Sequence, residues 1–481
     1  MDNVRQKNTD SGCGALLWVI PALLPLLLIL FFYVLRPWSW GLMDDLTILS
    51  SGTGIAGRFM KYFIDLVNWG VFRPTFVAHS AVFYTTFEHA PGLFYVLKWF
   101  EIMLMLGIWA WVVAGIRRSW AAGVFFSAIA LSFHFLYDQF FFLSTQETLG
   151  LLFLGLSVKV FAGLLNASKR KSVLIPAMAG LFFLLCAFGA KETFVACGLA
   201  FGLALCVVGF GPGKDRRSLR AGLSITIVAI AYGIMLKIFV SKGYTGGYSF
   251  TAVQLLLANF SGWMRKDLIN HLPWVVATGG VFVMTGGQAR WREFSSDERF
   301  GLVLGALCYV FFLGILLPWN TTTYYAGPFG VFFAFFVAIL LSRRLEKLHL
   351  KMNVLLIVCA CALNLFVCTY ALNREATYQY DTQNLWQWVK GNDDFQSAAK
   401  QALVACNAME ASVAIPGHAD RWWALGLKSF KHTPTIEAAR LNGSQYFVYS
   451  PRFGALDASG LEGWGTEFYS KYWQVYQKEA R

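Results

Sequence analysis

The feature that most constrains this chain is the recurrence of apolar runs about as long as a helix needs to cross a ~30 Å hydrocarbon core, which takes roughly 20 residues. The first covers Ala15 to Leu35. Others fall near 92–115, 120–137, 141–165, 173–190, 193–210, 221–241, 273–285, 300–317, 326–341 and 353–372. That pattern predicts a polytopic α-helical membrane protein with about eleven crossings. Composition agrees, with 57% hydrophobic residues and only 14% charged. The Ala15 to Leu35 run is too long for a cleaved apolar leader and lacks a clear small-residue cleavage site, so it reads as a retained span.

The net charge of +13 could suggest a nucleic-acid partner, but the basic residues cluster in short connectors. Arg117-Arg118, Lys169-Arg170-Lys171, the Lys214 to Arg220 group, Arg290/Arg292/Arg299 and Arg343-Arg344 all fall on one side of the expected membrane. The positive-inside rule makes that side cytoplasmic and the N-terminus with it. The tail then lies outside. Nine cysteines give neither a disulfide framework nor zinc spacing, and read as small core residues.

Two domains follow. Residues 1–372 form the membrane domain, whose first external connector, 36–91, is long and patterned. In Ile55 to Trp69, Ala56, Phe59, Met60, Phe63 and Val67 recur at helical spacing, with Arg58, Lys61, Asp65 and Asn68 on the other face. This predicts an interfacial amphipathic helix with its charged stripe toward water, and Phe76 to Phe87 predicts a second. Residues 373–481 have soluble composition. Helix-like Asp394 to Cys406, strand-like Ala411 to Pro416 and strand-like Gln445 to Tyr449 predict a small α/β domain outside the cytoplasm.

Chemistry concentrates at the external helix ends. Met43-Asp44-Asp45 follows a Trp-rich interface segment, where carboxylates must stand at the water edge or be paired in a cavity. Asp45 would equally serve as an N-cap for the helix that follows. The same side supplies Arg58, Lys61, Arg73, His79, Glu88, Asp138, Glu147, Lys191 and Glu192. Lys191 reads also as a snorkelling lysine, and Glu147 as a helix-start residue. Transfer of a sugar from a lipid phosphate would use a carboxylate to take the acceptor's hydroxyl proton and cations to stabilise the departing phosphate. Asp44, then Asp45, are the candidate catalytic bases. Arg58, Lys61, Arg73 and Lys191 are the phosphate-binding candidates, with His79, Glu88, Asp138, Glu147 and Glu192 supporting.

This arrangement resembles the GT-C superfamily of glycosyltransferases: a first span, an acidic motif opening a long external loop, many spans and a soluble tail. Gly57-Arg58-Phe59, Phe72-Arg73-Pro74, Ala190-Lys191-Glu192-Thr193 and Thr323 to Pro328 carry the resemblance. It implies a bacterial inner-membrane enzyme that takes a sugar from a polyprenyl-phosphate donor and places it, with inversion, on a lipopolysaccharide or other envelope glycan or lipid acceptor. The first-loop Asp would be the base. No metal-ligand set is evident in sequence, although Mg2+ or Mn2+ is a possible cofactor. Alternatives are a lipid-linked glycan flippase or transporter, an O-antigen polymerase or ligase, and a non-catalytic envelope protein. The carboxylates' position at external ends, without repeats, favours an enzyme.

Overall fold

The computed structural model describes residues 17–35, 48, 53–68, 70–87, 90–141, 145–165, 174–210, 216–239, 269–285, 291–316, 327–345, 348, 350–406, 431–433, 435–451, 456 and 458–479. Asp44, Asp45, Glu88, the Thr323 to Ala326 part of the late-span motif and the strand expected at 411–416 lie outside the described residues.

The chain is mostly helical. Its elements begin α1 (Val19–Leu35), α2 (Gly54–Asn68), α3 (Pro74–Thr86), α4 (Pro91–Arg117), α5 (Trp120–Ala130), α6 (His134–Phe141) and α7 (Glu147–Leu165). They continue as α8 (Leu174–Ala190), α9 (Phe194–Phe210), α10 (Arg216–Phe239), α11 (Ile269–Met284), α12 (Ser296–Leu316), α13 (Gly327–Leu345) and α14 (Leu350–Gly391). A helix therefore stands in each expected apolar stretch. Among the described residues, five helices are long and apolar enough to cross a membrane alone, six if a bent pair counts as one span, and several others are shorter apolar helices.

That bent pair is α5 and α6, which turn by 79° where the sequence predicts one span over 120–137. The break has a local cause. Ser132 Oγ donates to the Ile129 carbonyl at 2.6 Å, and the Ser132 and Phe133 N–H groups bond three residues back instead of four. Ser and Thr side chains that bond the preceding turn compete with the helical ladder in this way. Asp138 consequently sits within α6, fully buried, and not in a surface turn.

Among the described residues, three of the basic ends meet. Arg117 at the end of α4 pairs with Glu298 of α12 and donates to Ser342 Oγ of α13 at 2.7 Å. Arg343 donates to the Glu293 carbonyl at 2.8 Å. Three connectors thus converge on one end of the bundle, and the described candidate site residues stand toward the other.

α2 forms where its periodicity predicts, with a different face inward. Arg58, Tyr62 and Leu66, spaced four apart, are buried, while Ile55, Met60 and Ile64 are exposed. Arg58 is therefore not on a water-facing stripe, and only Lys61 of the two cations is exposed. The exposed apolar stripe suits a helix lying against lipid, with its polar contacts turned to protein.

The helix expected over Asp394 to Cys406 stops early. α15 (Asp393–Lys400) is capped by Asn392, whose Oδ1 accepts from the Phe395 N–H at 2.7 Å. Ala402 then adopts a left-handed φ of 60°, and Val404–Cys406 becomes strand β1. Beyond it come β2 (Lys431–His432), α16 (Ile436–Leu441), β3 (Tyr446–Tyr449), β4 (Trp464–Tyr469) and β5 (Gln474–Lys478). The sheet order is β2-β1-β3-β5-β4, parallel across β2, β1 and β3 and antiparallel after that.

α14 carries both halves. It runs without a break through residues 372 and 373, and its outer part holds the sheet. Asp381 Oδ2 accepts from the Tyr472 N–H at 2.9 Å, and Thr382 Oγ1 accepts from Trp473 Nε1 at 3.0 Å.

Candidate active site

The site is assembled at the ends of short connections. Pro74 opens α3, and the residue before a proline is held out of the helical region, so Arg73 stands outside the helix as its N-cap, at φ −129° and ψ 58°. Gly189 near the end of α8 is what lets α3 come close. A Cβ there would lie 2.6 Å from Thr75 Oγ1 and 3.2 Å from Pro74 Cγ. The approach brings Arg73 to the Lys191-Glu192 turn. Arg73 Nε reaches both Glu192 oxygens, at 2.8 and 3.1 Å, and the Phe72 N–H reaches Oε1 at 3.3 Å.

Lys191 points inward instead of snorkelling. It forms an ion pair with Glu147, and both side chains are buried. Glu147 begins α7, where the macrodipole favours a carboxylate, and its Oε2 accepts from the Gln146 N–H at 3.1 Å. Burial pushes the Lys191 ammonium down to about 8; Glu147 opposes the drop and Arg73 adds to it.

A second string runs beside the first. His79 Nε2 of α3 pairs with Glu101 of α4, and Lys98, one turn earlier, lies 3.3 Å from the other Glu101 oxygen. Lys98 Nζ also donates to the Thr145 carbonyl at 3.0 Å, two residues before Glu147. α6 closes the group. Gln139 Oε1 accepts from Thr148 Oγ1 at 3.0 Å, and buried Asp138 pairs through Oδ1 with Arg374 of α14. Asp138 Oδ2 has no hydrogen-bond partner among the described residues.

The structure thus brings together Arg73, His79, Asp138, Glu147, Lys191 and Glu192. Arg58 stands on α2, where Nη1 donates to Thr85 Oγ1 of α3 at 3.1 Å. Ile48, three residues beyond Asp45, is buried in the core of the bundle. Sequence reasoning missed Lys98, Glu101 and Arg374. The signal for the first two was present: a Lys and a Glu three residues apart, inside a stretch otherwise apolar enough to span, face each other on a helix and are costly unless paired. Among the described residues no group of three or more His, Cys, Asp or Glu could hold a metal ion. His79 and Glu101 offer only two ligands, so the described residues do not by themselves fit the divalent ion considered from sequence.

No family model and no curated protein sequence matches this chain. Solved structures do. The crystal structure of ArnT from Cupriavidus metallidurans bound to undecaprenyl phosphate aligns with a TM-score of 0.50 at 12% identity, covering 95% of this chain and 97% of that one. The chain shares the ArnT fold. ArnT in the apo state aligns with a TM-score of 0.52 at 13% identity and the same coverage. The likeness covers nearly the whole chain. It also agrees, at the level of fold, with the resemblance to GT-C enzymes drawn from the sequence.

Proposed function

We propose that this protein is an integral inner-membrane glycosyltransferase that takes a sugar from a polyprenyl-phosphate donor and transfers it, outside the cytoplasm, to an envelope glycan or lipid such as lipopolysaccharide. One observation carries the reading. Arg73, Lys98, Lys191 and Arg374 converge with their carboxylate partners at one end of an apolar bundle, in a fold that in ArnT holds undecaprenyl phosphate. Paired charges in a low-dielectric bundle add little stability over apolar side chains of the same size. A lipid phosphate arriving from the membrane gives such cations a use, because it competes with the carboxylates for them.

In this reading Asp44, or Asp45 beside it, takes the acceptor hydroxyl proton as its oxygen attacks the anomeric carbon from the face opposite the leaving phosphate. The sugar–phosphate bond breaks and the configuration inverts. Arg58, Arg73 and Lys191 stabilise the charge that develops on the phosphate, with Lys61 contributing from the exposed side of α2. Glu147 and Glu192 hold Lys191 and Arg73 in place before the donor binds. His79, Glu88 and Asp138 complete the polar surround. The sheet beyond α14 lies outside the cytoplasm and helps hold the acceptor.

The test compares envelope glycans by mass spectrometry in cells lacking the protein, cells with wild type and cells with Asp44→Asn at matched protein levels. Loss of one sugar in the deletion, restored by wild type and not by Asp44→Asn, is the expected result. Asn caps a helix as well as Asp does, so a capping role alone predicts full restoration. Full restoration moves the base to Asp45, and no glycan change in any strain favours a transporter.

A further inference from the structure

A second polar feature lies at the opposite end of the bundle and plays no part in the transfer chemistry. α4 presents one continuous exposed stripe, Phe100, Leu104, Gly107, Trp111, Gly115 and Arg118, spaced three and four residues apart. Its outer part is apolar, as a lipid-facing stripe should be. Its basic-end part is not. Lys159 of α7, in an otherwise apolar helix, extends across to this stripe and places Nζ 4.1 Å from the Trp111 ring centroid and 3.3 Å from the Trp111 carbonyl. Gly115 is what admits it, since a Cβ at that position would stand 2.9 Å from Nζ. One turn further on is Arg118, exposed and in the left-handed region at φ 53°. Gly163 of α7 leaves the neighbouring surface equally open.

We propose that Lys159, Arg118 and Trp111 form a binding site for the phosphodiester headgroup of an anionic phospholipid in the leaflet at the basic end of the bundle. An ammonium facing hydrocarbon is costly, and snorkelling or pairing relieves the cost. Lys159 has three donors, and the Trp111 carbonyl is its one hydrogen-bond acceptor among the described residues. An aromatic within two turns of the basic end of α4, a cation from each of α4 and α7 and glycines that leave the surface open suit a phosphate with its acyl chains lying along the apolar stripe from Trp111 to Phe100. The end that carries Arg117, Arg343 and Arg344 is also the one the positive-inside rule assigns to the cytoplasm, where anionic lipids supply the complementary charge. The site is independent of the transferase reading.

Native mass spectrometry of the full chain, delipidated in detergent and titrated with phosphatidylglycerol or with phosphatidylcholine, tests it. Wild type is expected to retain phosphatidylglycerol in preference to phosphatidylcholine. Lys159→Leu is expected to weaken the tightest phosphatidylglycerol adduct about fivefold, and Lys159→Leu with Arg118→Asn about twenty-fivefold, from the worth of each cation near an anionic surface. Phosphatidylcholine binding should not change. Arg118→Asn alone changes an exposed helix end that tolerates Asn, and its expected loss of about fivefold keeps the test decisive if Lys159→Leu does not fold. Wild type that does not discriminate between the lipids, folded variants with unchanged phosphatidylglycerol affinity, or displacement of the lipid by millimolar inorganic phosphate would each overturn the proposal.

Discussion

Lys191 and Glu147, forty-four residues apart in the chain, form an ion pair buried at the junction of α7, α8 and α9. Removing one partner of such a pair leaves an uncompensated charge in a low-dielectric site, at a cost of about 3–5 kcal/mol. Glu147→Gln and Lys191→Met are each expected to lower the unfolding free energy in detergent by that amount, while Glu147→Leu with Lys191→Met recovers most of it. Sugar transfer should stay lost in the double variant, because the cation is gone. Recovery of both stability and transfer would assign Lys191 a packing role only.

The same lysine predicts a pH dependence with opposite signs for activity and stability. With Lys191 held down at about 8, its positive charge is present below that pH and lost above it. The kcat/KM for transfer should fall as pH rises through about 8, and Lys191→Arg should remove that limb because guanidinium stays charged. Folding behaves the other way. An unfolded lysine titrates near ~10.4, so between about 8 and ~10.4 the unfolded chain binds more protons and stability rises with pH. A pH–rate profile and unfolding measured over the same range separate the two effects.

Gly189 predicts a steric route to the same site. Gly189→Ala places a methyl 2.6 Å from Thr75 Oγ1, forcing α3 and α8 apart. A cost of about 1–3 kcal/mol is expected from overpacking, and transfer should drop further than stability does because Arg73 moves off Glu192. Gly107→Ala, in α4 with nothing within 4 Å of its Cβ, is the control and should leave transfer unchanged.

The helices were legible because apolar runs of spanning length admit few other structures, and the external residues stood out as charges where charge is expensive. What sequence could not give was pairing. Arg73 and Glu192 are separated by 119 residues and Asp138 and Arg374 by 236, and neither periodicity nor spacing relates them. The inward face of α2 departs from its apolar periodicity for a related reason. Its amphipathic pattern is real, but an arginine with Thr85 to bond is better turned inward than a methionine or isoleucine that lipid can cover. Between α5 and α6 a single serine, Ser132, outweighed the apolar run around it. In the tail, β3 was legible from its run of aromatic and β-branched residues, whereas β1 was hidden inside a helical pattern that ends where Ala402 takes a left-handed turn.

Trp473 predicts how the tail contributes. It is fully buried, packs against Tyr378 and donates to Thr382, both on α14, one and two turns beyond Arg374. Trp473→Ala should cost about 3–5 kcal/mol locally, and Thr382→Val about 1 kcal/mol with the indole N–H left unpaired. Because the helix is continuous, loosening the sheet need not unfold the bundle, and limited proteolysis of Trp473→Ala should release tail fragments while the membrane part stays intact. If the tail holds the acceptor, KM for the natural acceptor rises in this variant while binding of the polyprenyl-phosphate donor does not change. Unchanged acceptor KM with a released tail would confine the sheet to a structural role.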